Sequence, residues 1–473
     1  VNLISCTTLD FDGVDDNVTF RNNYNFNGAF SIELWIKSEA VNGSAIQTIL
    51  SRRNGASSNY GYDLRLVNNT ISFNWYDTNG AHSFAASDPI NTNRWYHLAL
   101  TFNGGTYTMY VDGIEVGSSG GLVPVATPSN VECILGAMDQ LSTPPFVPIN
   151  YFEGWMDELR VWNVALSKEQ IRHMMNQEIE DNGGNVEGAV VPINIPGLTW
   201  ANLDGYYQMN QSIDIVDGYI IPNAGTAAGR MRNITTWQEE TAPIPYTTDN
   251  NGDWTDVNTT NNDGASPWTW GHSVWDYPNS TGINGDDIDW NIVRTSHNIS
   301  SDGKGITLLG LIVNNNELSI EDSAGPYDET NDGQMLWVTH YLKLDGKLDL
   351  VGESQLVQKR YTSAQVNGSI FDNTSAGIAE RDQQGTTNPF NYNYWSSPFA
   401  PNNATLGAGE ITTNTYSIGG VLRDGTTTVT NPLTRNIVWT GNNTATGGDP
   451  TQVSTRWLYA YYNAIGNTYS EWD

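Results

Sequence analysis

The sequence predicts an all-β protein divided into several domains. Apolar side chains occupy every second position in many short runs, a period typical of a β-strand with one buried and one exposed face. In residues 30–37 the two alternating sets are Phe30, Ile32, Leu34 and Ile36 against Ser31, Glu33, Trp35 and Lys37. The 473 residues include 46 Gly, 17 Trp and 23 Tyr, which favours strands joined by tight turns. A chain of this length holds about three domains.

The charge balance argues against nucleic-acid and membrane partners. Acidic residues number 52 against 21 Lys and Arg, so the net charge is -31 at pH 7. Such a field repels phosphate backbones and anionic lipid headgroups. The sequence also has no apolar run of about 18 residues that could form a spanning helix. We therefore expect a secreted, extracellular protein with no nucleic-acid partner and no membrane insertion.

Residues 1–178 contain a series of strands that ends in a short helix. The dipeptide Asp112-Gly113 stands between apolar pairs and predicts a hairpin with a type I′ turn. Ser167 and Gln170 have the spacing of a capping box, which predicts a helix start.

Several motifs in this segment resemble the laminin-G-like domains of the concanavalin-type jelly-roll family. They are LDFDGVDD at 9–16, WYH at 95–97, YVDG at 110–113, DELRVWN at 157–163 and ALS at 165–167. The resemblance implies an N-terminal concanavalin-like jelly-roll β-sandwich over residues 1–178. It also implies a structural calcium ion, which many relatives hold.

Acidic residues near the two ends of this segment are candidate Ca²⁺ ligands. Carboxylate oxygens suit this cation, and a jelly roll brings its first and last strands side by side. Asp12 or Asp15 could therefore share one ion with Asp157. The alternative is that these residues are hydrated acids in turns.

Aromatic side chains near strand ends are candidate ligand contacts. Trp and Tyr rings stack on sugar rings, and Tyr62, Trp75 and Tyr76 lie near strand ends, with core packing as the alternative for each.

Cys6 and Cys133 are the two cysteines of the chain. In an exported protein we expect a disulfide between them, with two buried free thiols as the alternative.

The rest of the chain predicts further β-structure. Residues 179–195 carry Gly and Pro without a sustained period and indicate a linker, and residues 196–304 indicate an aromatic- and Asn-rich β-domain. Residues 305–365 contain short apolar runs between Asn, Asp and Gly turns, typical of a short β-solenoid or of a meander. Residues 366–473 predict a C-terminal β-domain that stops abruptly, as in a piece of a longer protein.

Three later motifs resemble the large cell-surface proteins of gliding and marine Bacteroidetes. They are IDWNIV at 288–293, the run at 344–356 and NYNYWSSP at 391–398. This resemblance implies export by the type IX secretion machinery.

The sequence predicts a protein that is not an enzyme. Retaining glycosidases need two carboxylates about 5–5.5 Å apart, whereas Glu33 stands alone in its strand and no Glu-x-Asp-x-Glu pattern occurs. We expect a cell-surface adhesion protein whose jelly roll binds a polysaccharide or a cell-surface protein. One alternative is a self-assembling structural subunit of a surface filament or sheath. Another is the binding portion of a secreted polysaccharide-degrading enzyme.

Overall fold

A computed structural model describes most of the chain up to residue 383 and short pieces beyond it. The described residues are 8–40, 46–55, 59–140, 147–210, 218–238, 240–257, 266–268, 276–323, 331–359, 368–383, 422–424, 435–441, 452–458, 461–462 and 471–472. This part consists almost entirely of strands and turns, which confirms the predicted all-β class. Within it, no helix has the length and apolar character needed to cross a membrane.

Residues up to 162 form the strands of a β-sandwich, and a helix follows. The strands are β1 (Thr8–Asp12), β2 (Asn17–Thr19), β3 (Phe30–Ser38), β4 (Ile46–Arg52), β5 (Tyr62–Val67), β6 (Thr70–Asp77), β7 (Gly80–Ala85), β8 (Trp95–Phe102), β9 (Thr106–Val111), β10 (Ile114–Gly120), β11 (Ile134–Leu135), β12 (Met138–Asp139), β13 (Pro148–Ile149) and β14 (Glu153–Trp162). Helix α1 (Lys168–Met174) starts at the predicted capping box, where Gln170 N donates to Ser167 Oγ and Ser167 N donates to Gln170 Oε1.

The next strands complete the sandwich. They are β15 (Ile179–Asn182), β16 (Asn185–Gly188), β17 (Asn194–Thr199), β18 (Leu203–Tyr207), β19 (Tyr219–Ile220), β20 (Ala224–Gly225), β21 (Gly229–Arg232) and β22 (Trp237–Gln238). A 3₁₀ turn, Trp200–Asn202, precedes β18. Residues 179–195, predicted as a linker, belong to the antiparallel sheet β15-β16-β17, because Ile179, Val186 and Ile195 are buried in a cluster with residues of α1.

Two antiparallel sheets make up the sandwich. The first has the order β10-β9-β8-β3-β14-β1-β22, with β18 paired to β14 and to β20. The second has the order β19-β21-β2-β11-β4-β5-β6-β7. Both sheets thus continue past residue 178, where the sequence analysis placed the end of the first domain.

The core lies between the two sheets, and the outer face of the first sheet is also covered. Every residue of β3 is buried, whereas the sequence predicted one exposed face. Ser31 Oγ donates to Val164 O at 2.9 Å, and Trp35 Nε1 donates to Met175 O at 2.7 Å. The prediction was wrong because α1 and the chain around it lie on this face.

The hairpin between β9 and β10 has the predicted turn. Asp112 and Gly113 have φ values of 50° and 75°, and Val111 pairs with Ile114 across them. Positive φ at both central residues defines a type I′ turn.

A solenoid of parallel strands follows the sandwich. Its strands are β23 (Tyr246–Thr247), β24 (Gly252–Asp253), β25 (Ile292–Thr295), β26 (Ile299–Ser300), β27 (Ile306–Val313), β28 (Glu317–Ile320), β29 (Met335–Leu344), β30 (Lys347–Leu350), β31 (Gln355–Val357), β32 (Ile370–Phe371) and β33 (Ile378–Arg381). One parallel sheet is β23-β25-β27-β29-β31, with β32 also on β29, and the other is β24-β26-β28-β30-β33. Parallel pairing confirms the solenoid over the meander, because neighbouring strands of a meander are antiparallel.

The predicted C-terminal domain lies largely outside the described residues. Its described elements are β34 (Arg423–Asp424), β35 (Arg435–Asn436), β36 (Val438–Thr440), β37 (Gln452–Ser454), a 3₁₀ turn (Thr455–Trp457), β38 (Tyr461–Tyr462) and β39 (Glu471–Trp472).

Candidate functional site

The outer face of the second sheet is the more open face of the sandwich, since that of the first sheet is covered. Strand β5 lies between β4 and β6 in this sheet, and its residues Tyr62, Leu64 and Leu66 are buried on the core side. Side chains alternate along a strand, so Asp63 and Arg65 lie on the opposite, outer face. Asn74 of β6 stands directly opposite Asp63 in the β5–β6 register.

Four polar side chains meet on this face, and we call them the Asp63 cluster: Arg53, Asp63, Arg65 and Asn74. The carboxylate of Asp63 has no exposed surface and lies 2.9 Å from Arg53 Nε and 3.4 Å from Arg65 Nε. Asn74 Nδ2 donates to Asp63 Oδ2 at 3.3 Å, and Arg65 Nη2 donates to Asn74 Oδ1 at 3.0 Å. Burial raises the pKa of Asp63, an effect that Arg53 and Arg65 oppose.

This arrangement fixes two guanidinium groups at the surface of the sheet. The side chains of Arg53 and Arg65 are 16% and 20% exposed, so part of each remains accessible to a ligand. A guanidinium has five N–H donors in a planar fork and can donate to hydroxyl or carboxylate oxygens. Because the buried carboxylate already restricts both side chains, a ligand would need to order them little on binding.

Sequence reasoning missed the Asp63 cluster and chose aromatic residues instead. Tyr62 is 1% exposed and Trp75 is fully buried, so neither can stack on a ligand. Both point into the sandwich: Tyr62 Oη donates to Tyr24 O at 3.0 Å, and the Trp75 ring centroid lies 4.4 Å from that of Tyr107. Those two predictions were wrong because the alternation of β5 and β6 turns these rings inward. Tyr76, on the outer face of β6, is half-buried.

The acidic residues predicted to bind calcium separate into two places. Asp12, Asp15 and Asp16 each offer an oxygen within 4.8 Å of the others. Asp157 is not with them, because Asp12 pairs with Glu153, four residues earlier on β14. The Asp157 carboxylate is buried and accepts hydrogen bonds from Glu158 N, Thr241 Oγ1 and Ala242 N. The shared site with Asp157 was therefore a wrong prediction, whereas Asp12 and Asp15 do lie together.

The Asp12, Asp15 and Asp16 group has the donor chemistry of a hard-cation site. Asp16 is 2% exposed, and burial together with the neighbouring carboxylates raises its pKa to about 6, against the hydrogen bond from Asp12 N. Asn17 Nδ2 donates to Asp15 O, while its buried Oδ1 has no hydrogen-bond partner among the described residues. Crowded carboxylates are oxygen ligands of the kind that Ca²⁺ prefers.

The predicted disulfide involves one residue outside the described part of the chain. Cys133 is buried, and burial raises the pKa of its thiol to about 12. Cys6 lies outside the described residues. The pairing of the two stays a prediction.

A second polar cluster is buried under α1, on the outer face of the first sheet. Arg160 Nη1 lies 3.4 Å from Glu33 Oε1, and Arg160 Nη2 donates to Glu158 Oε2 at 2.5 Å. The same guanidinium donates to Met174 O and Gln177 O. His97 Nε2 lies 3.6 Å from Glu33 Oε2. Burial holds the pKa of His97 well below its ordinary value, and the positive charge of Arg160 lowers that pKa further. This cluster ties the helix to the sheet and has no access to a ligand.

Comparisons with known proteins identify the first part of the chain. Residues 12–172 match the laminin G family model described as the concanavalin A-like lectin/glucanases superfamily. The sushi, von Willebrand factor type A, EGF and pentraxin domain-containing protein 1 is 30% identical in Rattus norvegicus and 28% identical in Mus musculus, over 112 residues. The match covers 23% of this chain and 3% of each relative.

Solved structures with low similarity also match the chain. One is a Bacteroides ovatus protein for which carbohydrate binding has been proposed, with 20% identity, a TM-score of 0.37, and coverage of 51% of this chain and 62% of that chain. Another is the heptameric SAP-like pentraxin of Limulus polyphemus, with 15% identity, a TM-score of 0.29, and coverage of 36% and 81%. On the family match, residues 12–172 form a concanavalin A-like domain of the laminin G type.

Proposed function

We propose that the laminin-G-like domain binds a carbohydrate through the outer face of its second sheet. The observation that carries the proposal is the Asp63 cluster, in which a fully buried carboxylate holds two partly exposed guanidinium groups beside an amide. Sugar hydroxyls both donate and accept hydrogen bonds, and fixed planar polar side chains are suited to orient them. The family description, which names lectins and glucanases, supports the same ligand class.

The proposed activity is binding without catalysis. Asp63 is the carboxylate at the centre of the face, but it is fully buried and paired with two arginines. Hydrolysis of a glycosidic bond needs an accessible carboxylic acid and a second carboxylate at a defined distance. A carboxylate that is held between two guanidinium groups is poorly suited to donate a proton to a ligand.

We extend the proposal to a role in adhesion outside the cell. The net charge of -31 suits a surface protein that stays dispersed in water. The polysaccharide ligand, attachment to the cell surface and export by the type IX machinery belong to this proposal.

A protease-shaving experiment on intact producing cells tests the location, since an internal protein would resist digestion. Self-assembly into filaments is the competing role, and it predicts large particles by size-exclusion chromatography of the pure protein.

A Ca²⁺ ion at Asp12, Asp15 and Asp16 is also part of the proposal. These carboxylates lie at the turn between β1 and β2, where the buried acid Asp16 and its two acidic neighbours favour a bound cation. An ion there would neutralise the crowded acids and hold this turn. No ligand contact is required of it.

A glycan array probed with the protein, followed by titration of the best glycan, tests the binding face. Arg65→Gln removes one fixed guanidinium, and hydrogen bonds to charged groups contribute about 1.5–3 kcal/mol, so affinity should fall about 10- to 150-fold. The matched control is Lys168→Gln, which removes one positive charge at an exposed position of α1 and should bind as the wild type does. Equal affinity of wild type and Arg65→Gln, or no glycan bound on a broad array, would contradict the proposal.

A further inference from the structure

A crevice on the solenoid lies far along the chain from the Asp63 cluster. It has a volume of 280 Å³ and lies between residues 189–192 and the outer face of strands β25, β27 and β29. The solenoid residues that line it are Arg294, Ile312, Asn314, Tyr341 and Lys343. Its volume is close to the lower end of ordinary ligand pockets, which suits an occupant of one ring.

The wall formed by residues 189–192 is held in a fixed position. Gln177, which is fully buried, accepts hydrogen bonds at its Oε1 from Val190 N at 3.1 Å and Val191 N at 2.8 Å. On the solenoid side, Gly310 permits close approach, because a Cβ there would lie 2.6 Å from Val191 Cγ2. The sandwich and the solenoid thus build the two walls of the crevice together.

The solenoid register places two basic residues on the crevice floor, one on each side of Ile312. Arg294 pairs with Ile312, and Ile312 pairs with Lys343, on three successive parallel strands. Adjacent strands are about 4.8 Å apart, so the backbones of the two basic residues are separated by about 10 Å. Ile312, only 5% exposed, lies between them and gives the floor an apolar centre.

The two basic residues of the crevice differ in their charged neighbours, since Asp345 and Asp372 both lie near Lys343. Among the described residues, no carboxylate lies within ion-pair distance of Arg294. Lys343 is 3.5 Å from Asp345, but both side chains are 32% exposed, so water screens this pair. Arg294 is half-buried, so part of its guanidinium remains accessible to a ligand.

We propose that this crevice binds the carboxylate of a single acidic sugar residue, a hexuronate. The carboxylate would lie between Arg294 and Lys343, the ring would cover Ile312, and the Asn314 side chain would contact a hydroxyl. An arginine binds a carboxylate through two parallel hydrogen bonds, which gives both affinity and orientation. The net charge of -31 disfavours a densely charged polyanion, and the volume is too small for a peptide segment.

Ligand-observed NMR on the full chain tests this inference with D-galacturonic and D-glucuronic acid as probes. We expect saturable binding of at least one of them, with a Kd of about 1 mM, and binding of its neutral methyl ester at least about 10-fold weaker. Arg294→Gln should lose at least about 10-fold in affinity. Arg381→Gln, an exposed arginine on the other sheet of the solenoid, is the matched control and should leave binding unchanged. If Arg294→Gln does not fold, as judged by circular dichroism, Lys343→Gln gives the same test.

Four results would overturn the assignment. They are equal binding of the acid and its methyl ester, undiminished binding by the folded Arg294→Gln or Lys343→Gln variant, equal competition by N-acetylglutamate, and no binding of either acid at about ten times the expected Kd. The Arg65→Gln variant separates this site from the Asp63 cluster. It should bind the acidic sugar as the wild type does, and loss of that binding would place the ligand on the sandwich instead.

Discussion

Replacing Arg160 by Met tests whether the buried charge cluster under α1 is held together by one guanidinium. Arg160 is 1% exposed and lies between Glu33 and Glu158. Removing one partner of a buried ion pair costs about 3–5 kcal/mol. The change also leaves Met174 O and Gln177 O without their donor, so we expect a loss of about 5 kcal/mol in the free energy of unfolding at pH 8.

The loss should depend on pH in a defined direction. In the wild type, burial raises the pKa of Glu158 from 4.5 to about 7, despite the opposing effect of Arg160. A folded state with the higher pKa binds a proton that the unfolded state has released, so this group makes the wild type less stable as pH rises from about 4.5 to about 7. Without Arg160 the pKa of Glu158 rises further. The free energy of unfolding of the variant should therefore continue to fall above pH 7, by up to about 1.4 kcal/mol per pH unit. In the wild type, the contribution of Glu158 to that free energy no longer changes above pH 7.

Urea unfolding followed by tryptophan fluorescence, at a series of pH values from 5 to 9, measures this difference. Lys168→Met, at an exposed position of α1, is the control and should change stability by less than about 0.5 kcal/mol. The double change Arg160→Met with Glu158→Gln should remove the part of the extra slope that Glu158 contributes and leave the part from Glu33, whose raised pKa Arg160 also opposes. A loss below about 1 kcal/mol, or one that is the same at pH 6 and pH 9, would refute the reasoning.

Three further predictions concern the turn acids, the solenoid and the β9–β10 hairpin. Ca²⁺ at about 100 times its Kd should stabilise the protein by about 2.7 kcal/mol in a thermal melt, and Asp15→Asn should reduce the effect; an unchanged Tm would exclude the site. Lys347→Met should destabilise the solenoid by about 3 kcal/mol in urea, because Lys347 Nζ lies 2.9–3.1 Å from three carboxylates; an unchanged midpoint would contradict this. Gly113→Ala should lose about 2 kcal/mol, since its Cβ would lie 2.7 Å from Trp290 Nε1 at a φ of 75°, whereas Gly104→Ala, with no neighbour within 4 Å, should lose about 1. Equal losses in the two glycine variants would show that the contact with Trp290 has no effect.

Local features of the fold were readable from the sequence because a few adjacent residues determine them. The turn at Asp112-Gly113 needs two positive φ values, and the start of α1 needs the Ser167 and Gln170 side chains at fixed spacing. The solenoid was indicated by short apolar runs, although its first strand lies at Tyr246, well before the predicted residue 305. The long Asn-rich segment between its first and second coils hid this start, because it interrupts the repeat.

Features that depend on distant parts of the chain were not readable. The alternation in β3 predicts one exposed face, and nothing near it indicates that α1 covers Glu33 and Trp35. The sequence indicates part of the Asp63 cluster, because Asp63 and Arg65 alternate with apolar residues along β5 and so must share one face of the strand. Its other members come from neighbouring strands, and a single sequence does not give the register that brings Asn74 opposite Asp63.

The strands contributed by residues 203–238 have a consequence for how the sandwich forms during synthesis. Strand β22 pairs with β1, which lies far earlier in the chain, and Ala242 N donates to the buried carboxylate of Asp157. The sandwich therefore cannot complete its pairing until residue 238 has left the ribosome. Until then β1, β2 and β14 keep open edges, which are sites for pairing with other chains. A fragment ending at residue 178 would retain those edges permanently and should aggregate, whereas one that extends past residue 242 should remain monomeric at low concentration.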